Sequence, residues 1–185
     1  MHEQRVLSAP AQEVVRTEGA EQLDARFRAQ IQANLAGAYR LAGVILGEAS
    51  EAEDATHDAV EHAWRSRSQL RDPDRFDAWF QRILVNSCRD RVRRRRSRPV
   101  LATFNFGVEE ITTPDDPYAQ AAERDAIGRA LGRIDIDQRI VIALRFYLDL
   151  EIDEIARRID VPAGTVKSRL HRGIRELRNS WEASR

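Results

Sequence analysis

The first half of the chain shows a helical spacing of apolar residues. Residues 1–22 lack a sustained periodicity and are interpreted as a flexible extension. Apolar side chains then recur every three or four residues, which predicts a first helix beginning near Leu23 and ending at Gly47. A second helix is predicted over 51–67, with an apolar inner side and an acidic outer side. The second helix therefore has one face suited to packing and one face suited to solvent or a partner.

A third helix is predicted over 76–96, after a turn at 71–74. Its apolar stripe points the following side chains inward: Phe76, Trp79, Phe80, Ile83, Leu84 and Cys88. Trp79 and Phe80 are therefore interpreted as core residues rather than stacking platforms. The helix ends in an arginine cluster, 91–98, whose density of positive charge favours phosphate binding over sequence readout.

The pattern collapses over 99–117, a stretch with Pro99, Pro114 and Pro117, four acidic residues and no basic one. This segment is interpreted as a flexible acidic linker. Helical periodicity resumes at Ala119, and no segment has a convincing strand period. The sequence therefore predicts an all-α fold of two small helical domains, 23–98 and 118–185.

The C-terminal pattern predicts a helix-turn-helix. Residues 151–160 place apolar side chains on one face of a short helix, and Pro162 suits the first turn of the next helix. At 100° per residue, one side of this second helix carries Lys167, Ser168, His171, Arg172, Arg175 and Arg178. The opposite side carries Val166, Leu170, Gly173, Ile174 and Leu177. A basic face on such a helix suits the DNA major groove, although a solvated basic face is the alternative.

Composition narrows the function classes. The chain has 185 residues, 42% of them hydrophobic and 32% charged. It contains neither an apolar run long enough for a membrane span nor the core of a signal peptide, so a cytoplasmic protein without membrane insertion is expected. The single cysteine, Cys88, cannot build a disulfide framework or a multi-cysteine zinc site and is interpreted as a small core residue.

The net charge of zero conceals a segregation of charge along the chain. Residues 66–98 carry 11 Arg against 4 acidic residues, a balance of +7, and residues 161–185 carry +4. Residues 1–65 and 99–125 each carry −5. Two basic regions separated by acidic ones are typical of a chain that meets nucleic acid at two places.

An enzyme is the first alternative class. His57 and His62 superficially suggest a zinc-hydrolase signature, but they are five residues apart and so do not share a helix face. The sequence has no phosphate-cradling glycine loop and no nucleophile elbow. We therefore expect a non-catalytic chain with no cofactor and no metal.

Three motifs, at 52–65, 76–86 and 164–172, occur in an order that resembles the extracytoplasmic-function (ECF) group of bacterial RNA polymerase sigma factors. The resemblance covers roughly residues 23–180. It implies a region 2 domain over 23–98, a linker over 99–117 and a region 4 domain over 118–185. It also implies a protein that binds RNA polymerase core and directs initiation from promoters with −35 and −10 elements.

The resemblance assigns roles to individual residues. The acidic second helix would dock on the clamp of the largest polymerase subunit, with the candidates Asp54, Asp58, Glu61, Trp64 and Arg65. The loop 66–75 and the third helix would melt and read the −10 element as duplex and single strand, with the candidates Arg71, Arg75, Arg82, Asn86, Arg89, Arg93 and Arg94. Aromatic and arginine side chains suit that task because they stack on exposed bases and hold the backbone.

The helix-turn-helix would read the −35 duplex, with the candidates Thr165, Lys167, Ser168, Arg169, His171, Arg172 and Arg175. Arg169 lies at the edge between the two helix faces and could instead support packing. Asp160 occupies a position where the family often has glycine, which is tolerable because aspartate can adopt a left-handed conformation. The usual Ser or Thr N-cap of the first helix is missing, so Asp149 or Asp153 could replace it.

The remaining partners also follow from the resemblance. They are the β flap of the polymerase and an anti-sigma factor, which in this family often holds the protein inactive. The alternative is a stand-alone helix-turn-helix regulator. Such a protein would bind its operator without polymerase, whereas a sigma factor should need core enzyme.

Overall fold

The computed structural model describes residues 9–96, 128 and 130–182, with side chains from residue 22 onward except at Arg96. Within this part the chain forms no strand; residues 130–133 are helical, and six α-helices have both ends described. They are α1 (Ala9–Leu46), α2 (Ala49–Arg65), α3 (Phe76–Arg96), α4 (Ile136–Ile142), α5 (Ile152–Ile159) and α6 (Ala163–Glu182). The predicted all-α class is confirmed. The predicted linker lies outside the described residues.

Helix α1 begins at Ala9 rather than near Leu23, so the helix start predicted from periodicity is wrong. The added residues are rich in Ala, Glu and Gln, which favour helix by intrinsic propensity. They lack an apolar stripe, and a search for amphipathic spacing therefore overlooks them. Contacts between Cα atoms divide the chain within this helix, into the units Met1–Leu35 and Ala36–Arg185.

Helices α2 and α3 pack against each other through small and aromatic side chains. Four alanines of α2 are fully buried, Ala52, Ala55, Ala59 and Ala63. Small residues allow two helices to approach closely, and Phe76, Phe80 and Leu84 of α3 fill the adjoining core. The predicted bounds of α3 are confirmed, and Phe80 and Cys88 are buried as predicted. Trp79 is only half-buried, so its assignment to the core is wrong in part.

The C-terminal helices form a second group in which α6 packs on both α4 and α5. Helix α4 continues into a π-helical turn, Ala143–Tyr147. An ideal Cβ on Gly173 would lie 2.8 Å from Ile142 Cδ1 and 3.1 Å from Gln138 Cβ. The absence of a side chain at Gly173 therefore allows α6 to approach α4 closely.

The two helical groups also contact each other. Helix α3 packs against α4 and α5, which follow the predicted linker in the sequence. The face of α3 that carries most of the −10 candidates is consequently next to the helix-turn-helix group. The sequence pattern did not predict this contact.

Candidate nucleic-acid and polymerase interfaces

Helices α5 and α6 form the predicted helix-turn-helix. Asp160 ends α5 in the left-handed region, with φ 56°, and the Val161 N–H donates to the Ala156 carbonyl. Pro162 caps α6, since its carbonyl accepts from the Thr165 and Val166 N–H groups at 2.8 and 3.1 Å. The turn therefore has the chemistry expected of a helix end followed by a new start.

The start of α5 differs from the prediction. Glu151 is the N-cap residue and makes no side-chain capping hydrogen bond, so neither Asp149 nor Asp153 replaces the missing cap. Asp149 instead adopts a positive φ of 50°. Arg145 holds the entry by donating to the Leu150 carbonyl at 3.1 Å and to the Glu151 carboxylate at 3.0 Å. Arg145 thus fixes the residues that precede α5, but it does not cap the helix, because a guanidinium cannot accept from the first N–H groups.

Helix α6 has the two faces that the periodicity predicts. Val166 and Gly173 are buried on the packing side. On the other side the exposed side chains include four −35 candidates: Lys167, His171, Arg172 and Arg175. These four have no ion pair or hydrogen-bonding side chain among the residues that the structure describes. Hydrogen-bond donors that are exposed and not bonded to other protein groups can donate to phosphate oxygens and base edges.

Two other −35 candidates, Ser168 and Arg169, make contacts within the protein. Ser168 donates its hydroxyl to the Thr165 carbonyl at 2.9 Å. Arg169 is half-buried and pairs with Asp137 of α4, with Nη2 and Oδ2 2.7 Å apart. This contact agrees with the alternative interpretation, in which Arg169 supports packing.

The acidic face of α2 is tied to α3 by Arg91. The Arg91 Nε donates to Glu51 at 2.8 Å, one Nη contacts Asp54, and the other lies 3.5 Å from Asp58. Burial alone would lower the pKa of Arg91, but the hydrogen bond that it donates to Glu51 and the charges of the three carboxylates together raise it. We call Arg91, Glu51, Asp54 and Asp58 the carboxylate cage. Arg91 is therefore engaged by protein groups, and its place in the phosphate-binding cluster stays a prediction.

The last turn of α2 carries the other polymerase-binding candidates. Glu61 and Arg65 are exposed and form an ion pair one turn apart. Trp64 is half-buried, and the Arg67 guanidinium lies 4.8 Å from the centre of its ring. A cation over an indole restricts both side chains and joins α2 to the following turn.

The loop between α2 and α3 contains two 3-10 turns, Arg67–Gln69 and Pro73–Arg75. Asp72 caps the second one by accepting from the Asp74 N–H at 3.0 Å, and it pairs with Arg75. Between this loop, α3 and α5 lies an open groove of about 590 Å³. Its lining includes Arg71, Arg75, Trp79, Arg82 and Arg157. An indole and several guanidinium groups around one groove provide stacking and phosphate contacts.

Four −10 candidates form a single stripe on α3: Arg82, Asn86, Arg89 and Arg93. The first three meet protein groups. Arg82 pairs with Asp160 at 2.6 Å, while Arg89 donates to Asp137 at 2.7 Å and to Asn86 at 2.8 Å. Towards the end of α3 the cations are more exposed. Arg93 pairs with Asp90 at 3.0 Å, and Arg94 lies 3.5 Å from Asp58.

Arg139 of α4 is buried, with 7% of its surface exposed. It donates to the Ile45 carbonyl in the last turn of α1 at 2.8 Å. It also donates to the carbonyls of Gly132 and Ile134 at 3.2 and 3.1 Å. Burial, helped by Arg95 and opposed by Asp135, lowers the pKa of Arg139 to about 10. It therefore stays protonated at neutral pH and satisfies a carbonyl that the helix end leaves open.

Three further observations bear on the predictions made from the sequence. Cys88 is fully buried, and burial raises the pKa of its thiol to about 12. No group of three or more His, Cys, Asp or Glu side chains with metal-ligand geometry occurs in the described part of the chain. A search of the same residues finds no helix with the length and hydropathy of a membrane span.

Asp137 and Arg139 are polar residues that the sequence interpretation missed, and the contacts of Arg91 with α2 were missed as well. Each contacts a residue that is distant along the chain, so no local spacing reveals it. The only available signal was an arginine inside the apolar run of α4, residues 136–144. A charged residue in such a run indicates either a buried partner or a functional site.

Comparison with known proteins accounts for both helical groups. The family model for sigma-70 region 2 matches residues 30–98, and the model for sigma-70 region 4 matches residues 124–177. The chain is 33% identical over 168 residues to the ECF RNA polymerase sigma factor SigL of Mycobacterium tuberculosis, a match that covers 89% of this chain and 94% of SigL. It is 33% identical over 139 residues to SigM of the same organism, covering 75% of this chain and 68% of SigM.

A solved structure has the same fold. The sigma factor RpoE in complex with the anti-sigma factor NepR from Bartonella quintana superposes with a TM-score of 0.63 at 21% identity, over 86% of this chain and 98% of RpoE. The two region matches and the near full-length likeness to SigL agree with the helix-turn-helix and with the basic helix that precedes the linker. The chain belongs to the ECF RNA polymerase sigma factors, and its function is promoter-specific transcription initiation.

Proposed function

We propose that this sigma factor reads the −35 element as duplex DNA with the exposed face of α6. The observation that carries the proposal is the row formed by Lys167, His171, Arg172 and Arg175. These side chains are exposed and lack protein partners among the described residues, whereas Val166 and Gly173 secure the opposite face. A recognition helix needs this division, because its outer face must release only water and counterions on binding.

The −10 element is assigned to the loop 66–75 and to α3. The groove beside Trp79 offers an indole and the guanidinium groups of Arg71 and Arg75, which suit an unpaired base and its flanking phosphates. Arg93 and Arg94 extend the positive surface along the duplex. Arg82, Asn86 and Arg89 belong to the same stripe and are assigned to the same element.

Polymerase core is assigned to the acidic side of α2. Asp54, Asp58 and Glu61 keep between 41% and 57% of their side-chain surface exposed despite their internal ion pairs. Each can therefore accept further hydrogen bonds from cations of a partner helix. Trp64 and Arg65 border this surface and complete the proposed contact with the clamp of the largest subunit.

The other partners are proposed on separate grounds. Phe146 in the π-helical turn is 65% exposed, and so large an exposed aromatic side chain supports a contact with the β flap. An anti-sigma factor is proposed because RpoE was solved as a complex with one. The domain limits 23–98 and 118–185 and the linker 99–117 are retained as part of the same proposal, with a non-catalytic role in the cytoplasm.

The test of α6 is run-off transcription with Arg172→Ala. We expect initiation from a −35-dependent promoter to fall about 10-fold or more, since one base or phosphate contact contributes about 1–3 kcal/mol. Binding to core should be unchanged, because Arg172 lies far from α2 in the proposed scheme. Arg133→Ala is the matched control, as Arg133 is exposed, belongs to the same helical group and contacts Ser180 rather than DNA. Equal losses for both variants would contradict the proposal.

The test of α2 is core binding by Asp54→Asn with Asp58→Asn. We expect affinity for core to fall, while the control pair Asp74→Asn with Asp77→Asn leaves it unchanged. All four residues lie in the region 2 match, and the control residues are exposed outside α2. Thermal unfolding of each variant separates lost binding from lost stability. Unchanged affinity in a folded Asp54/Asp58 variant would show that the polymerase surface lies elsewhere.

A further inference from the structure

Two arginines of the α3 stripe assigned to the −10 element pair with acidic groups of the C-terminal helices. Arg82 pairs with Asp160, which closes α5, and Arg89 pairs with Asp137 on α4. Between these two contacts, Arg158 of α5 donates to Gln81. Three separate links thus join α3 to residues on the other side of the linker.

Asp137 contacts both DNA-binding surfaces at once. Its Oδ1 accepts from Arg89 Nε and its Oδ2 accepts from Arg169 Nη2, both at 2.7 Å. Arg89 is a −10 candidate and Arg169 is a −35 candidate. One carboxylate between two guanidinium groups makes the contacts that a DNA phosphate would make with them.

Removing the carboxylate would change the sign of the local interaction. Arg89 and Arg169 are each about a quarter exposed and approach the same carboxylate. Without its negative charge the two cations would face each other across the contact between the helical groups. Asp137 is therefore necessary for the two positively charged surfaces to come together.

A second tie is independent of the proposed DNA contacts. The buried Arg139 guanidinium joins α4 to the last carbonyls of α1 through Ile45. Salt weakens partly exposed pairs such as Arg82 with Asp160, whereas it screens a buried hydrogen bond much less. The contact between the groups thus combines exchangeable charge pairs with one buried anchor.

We propose that Asp137 and Asp160 act as internal substitutes for DNA phosphate and hold the free protein in a closed form. In this form the middle of the α3 stripe and one edge of α6 are occupied by the protein itself. This inference rests on the proposed assignment of α3 and α6 to promoter DNA. It lowers the affinity of the free protein for DNA, because DNA must displace both carboxylates to reach these parts of α3 and α6.

The first test measures the separation of the two groups without any DNA. Cysteines introduced as Glu53→Cys and Asn179→Cys occupy exposed positions on α2 and α6 and carry a fluorescent donor and acceptor. Native Cys88 is buried, and its raised pKa leaves it unreactive. Single-molecule energy transfer should be high in the parent protein. It should shift to lower and broader values in Asp137→Arg, which adds a third cation between Arg89 and Arg169.

Asp137→Asn with Asp160→Asn is the milder variant, and Asp153→Asn is its control for a lost negative charge. Asp153 is exposed on α5, which is the helix that ends at Asp160. We expect partial opening with the double variant and none with the control. Circular dichroism verifies that each variant is folded. Unchanged energy transfer in a folded Asp137→Arg protein would overturn the proposal.

The second test measures binding of the free variants to a short fluorescein-labelled duplex of fixed random sequence. The two partly exposed ion pairs between the helical groups, Arg82–Asp160 and Arg89–Asp137, contribute about 0.2–1 kcal/mol each, so the double variant should bind about two- to thirtyfold tighter than the parent. Asp153→Asn gives the change due to net charge alone, and a double variant that binds no tighter than this control would contradict the inference.

These readouts separate the inference from the function on which it rests. Arg172→Ala should lower −35-dependent transcription about 10-fold or more without changing energy transfer. If Arg172→Ala leaves transcription unchanged while Asp137→Arg still opens the protein, the assignment of α6 is wrong and the closed form stands. If Arg172→Ala lowers transcription as expected and Asp137→Arg leaves the transfer unchanged, the closed form is wrong and the assignment of α6 stands.

Discussion

The two basic helices, α3 and α6, carry similar side chains in opposite states. On α3, Arg82 and Arg89 are paired with carboxylates of the C-terminal helices, and Arg91 is enclosed in the carboxylate cage. On α6, Arg172 and Arg175 extend into solvent without a partner among the described residues. The number of arginines on a helix therefore does not indicate whether they are available to bind DNA. Their availability depends on whether carboxylates of the protein already pair with them.

The difference has a physical basis in the task proposed for each helix. Duplex DNA at the −35 element is present before initiation, so a surface that reads it can stay exposed. The −10 element becomes readable as single strand only after melting, and a surface for it can be covered until then. Covered cations cost little to keep in the protein, because each already has a carboxylate partner.

The largest predicted difference between α3 and α6 concerns DNA binding by the free protein after pairs of arginines are neutralised. Arg172→Ala with Arg175→Ala should lower affinity for a random duplex about 10-fold or more and reduce the salt slope by about 2. Arg82→Ala with Arg89→Ala should change both quantities far less, since those guanidinium groups are engaged by Asp160 and Asp137. Fluorescence anisotropy over a salt series measures both effects. Equal slopes for the two double variants would show that α3 is as available as α6.

The carboxylate cage offers the next largest effect. Arg91→Ala should lower the free energy of unfolding by about 1–3 kcal/mol, because Glu51, Asp54 and Asp58 lose their common partner and repel one another. Arg93→Ala removes an exposed cation from the same helix and should change stability by less than about 0.5 kcal/mol. Urea unfolding provides the measurement. A stability loss in Arg93→Ala as large as that in Arg91→Ala would mean that the cage is not special.

The smallest predicted effect concerns the two glycines of α6. Gly164 has open space around its Cα, so Gly164→Ala should stabilise the protein by about 0.5–1 kcal/mol through helix propensity. Gly173→Ala should lose that gain, because the new methyl group must displace the side chain of Ile142. Thermal unfolding of the two variants tests the close approach of α6 to α4. A similar gain in stability for both variants would show that the Ile142 side chain of α4 moves aside without loss of stability.

The sequence predicted those parts of the fold that depend on local spacing. The bounds of α3, the buried Phe80 and Cys88, the two faces of α6 and the left-handed Asp160 all follow from neighbours within one or two helical turns. The start of α1 was missed, because that segment forms helix through propensity and lacks an apolar stripe.

The contacts that were missed join residues far apart in sequence. Arg139 and Ile45 are separated by 94 positions, and Arg82 and Asp160 by 78. Asp137 is one of many acidic residues, and no pattern distinguishes it from an exposed one. Trp79 shows that spacing also fails to predict the degree of burial, since it lies on the apolar stripe and is only half-buried.

The most direct test of the central claim is transcription reconstituted with purified core polymerase and fragmented genomic DNA of the source organism. We expect discrete run-off transcripts only when this protein and core are both present, with two shared elements upstream of their starts. Loss of those transcripts with Arg172→Ala would tie the upstream element to α6. Sequence-specific binding of duplex DNA by the protein alone, with no association with core, would contradict the account.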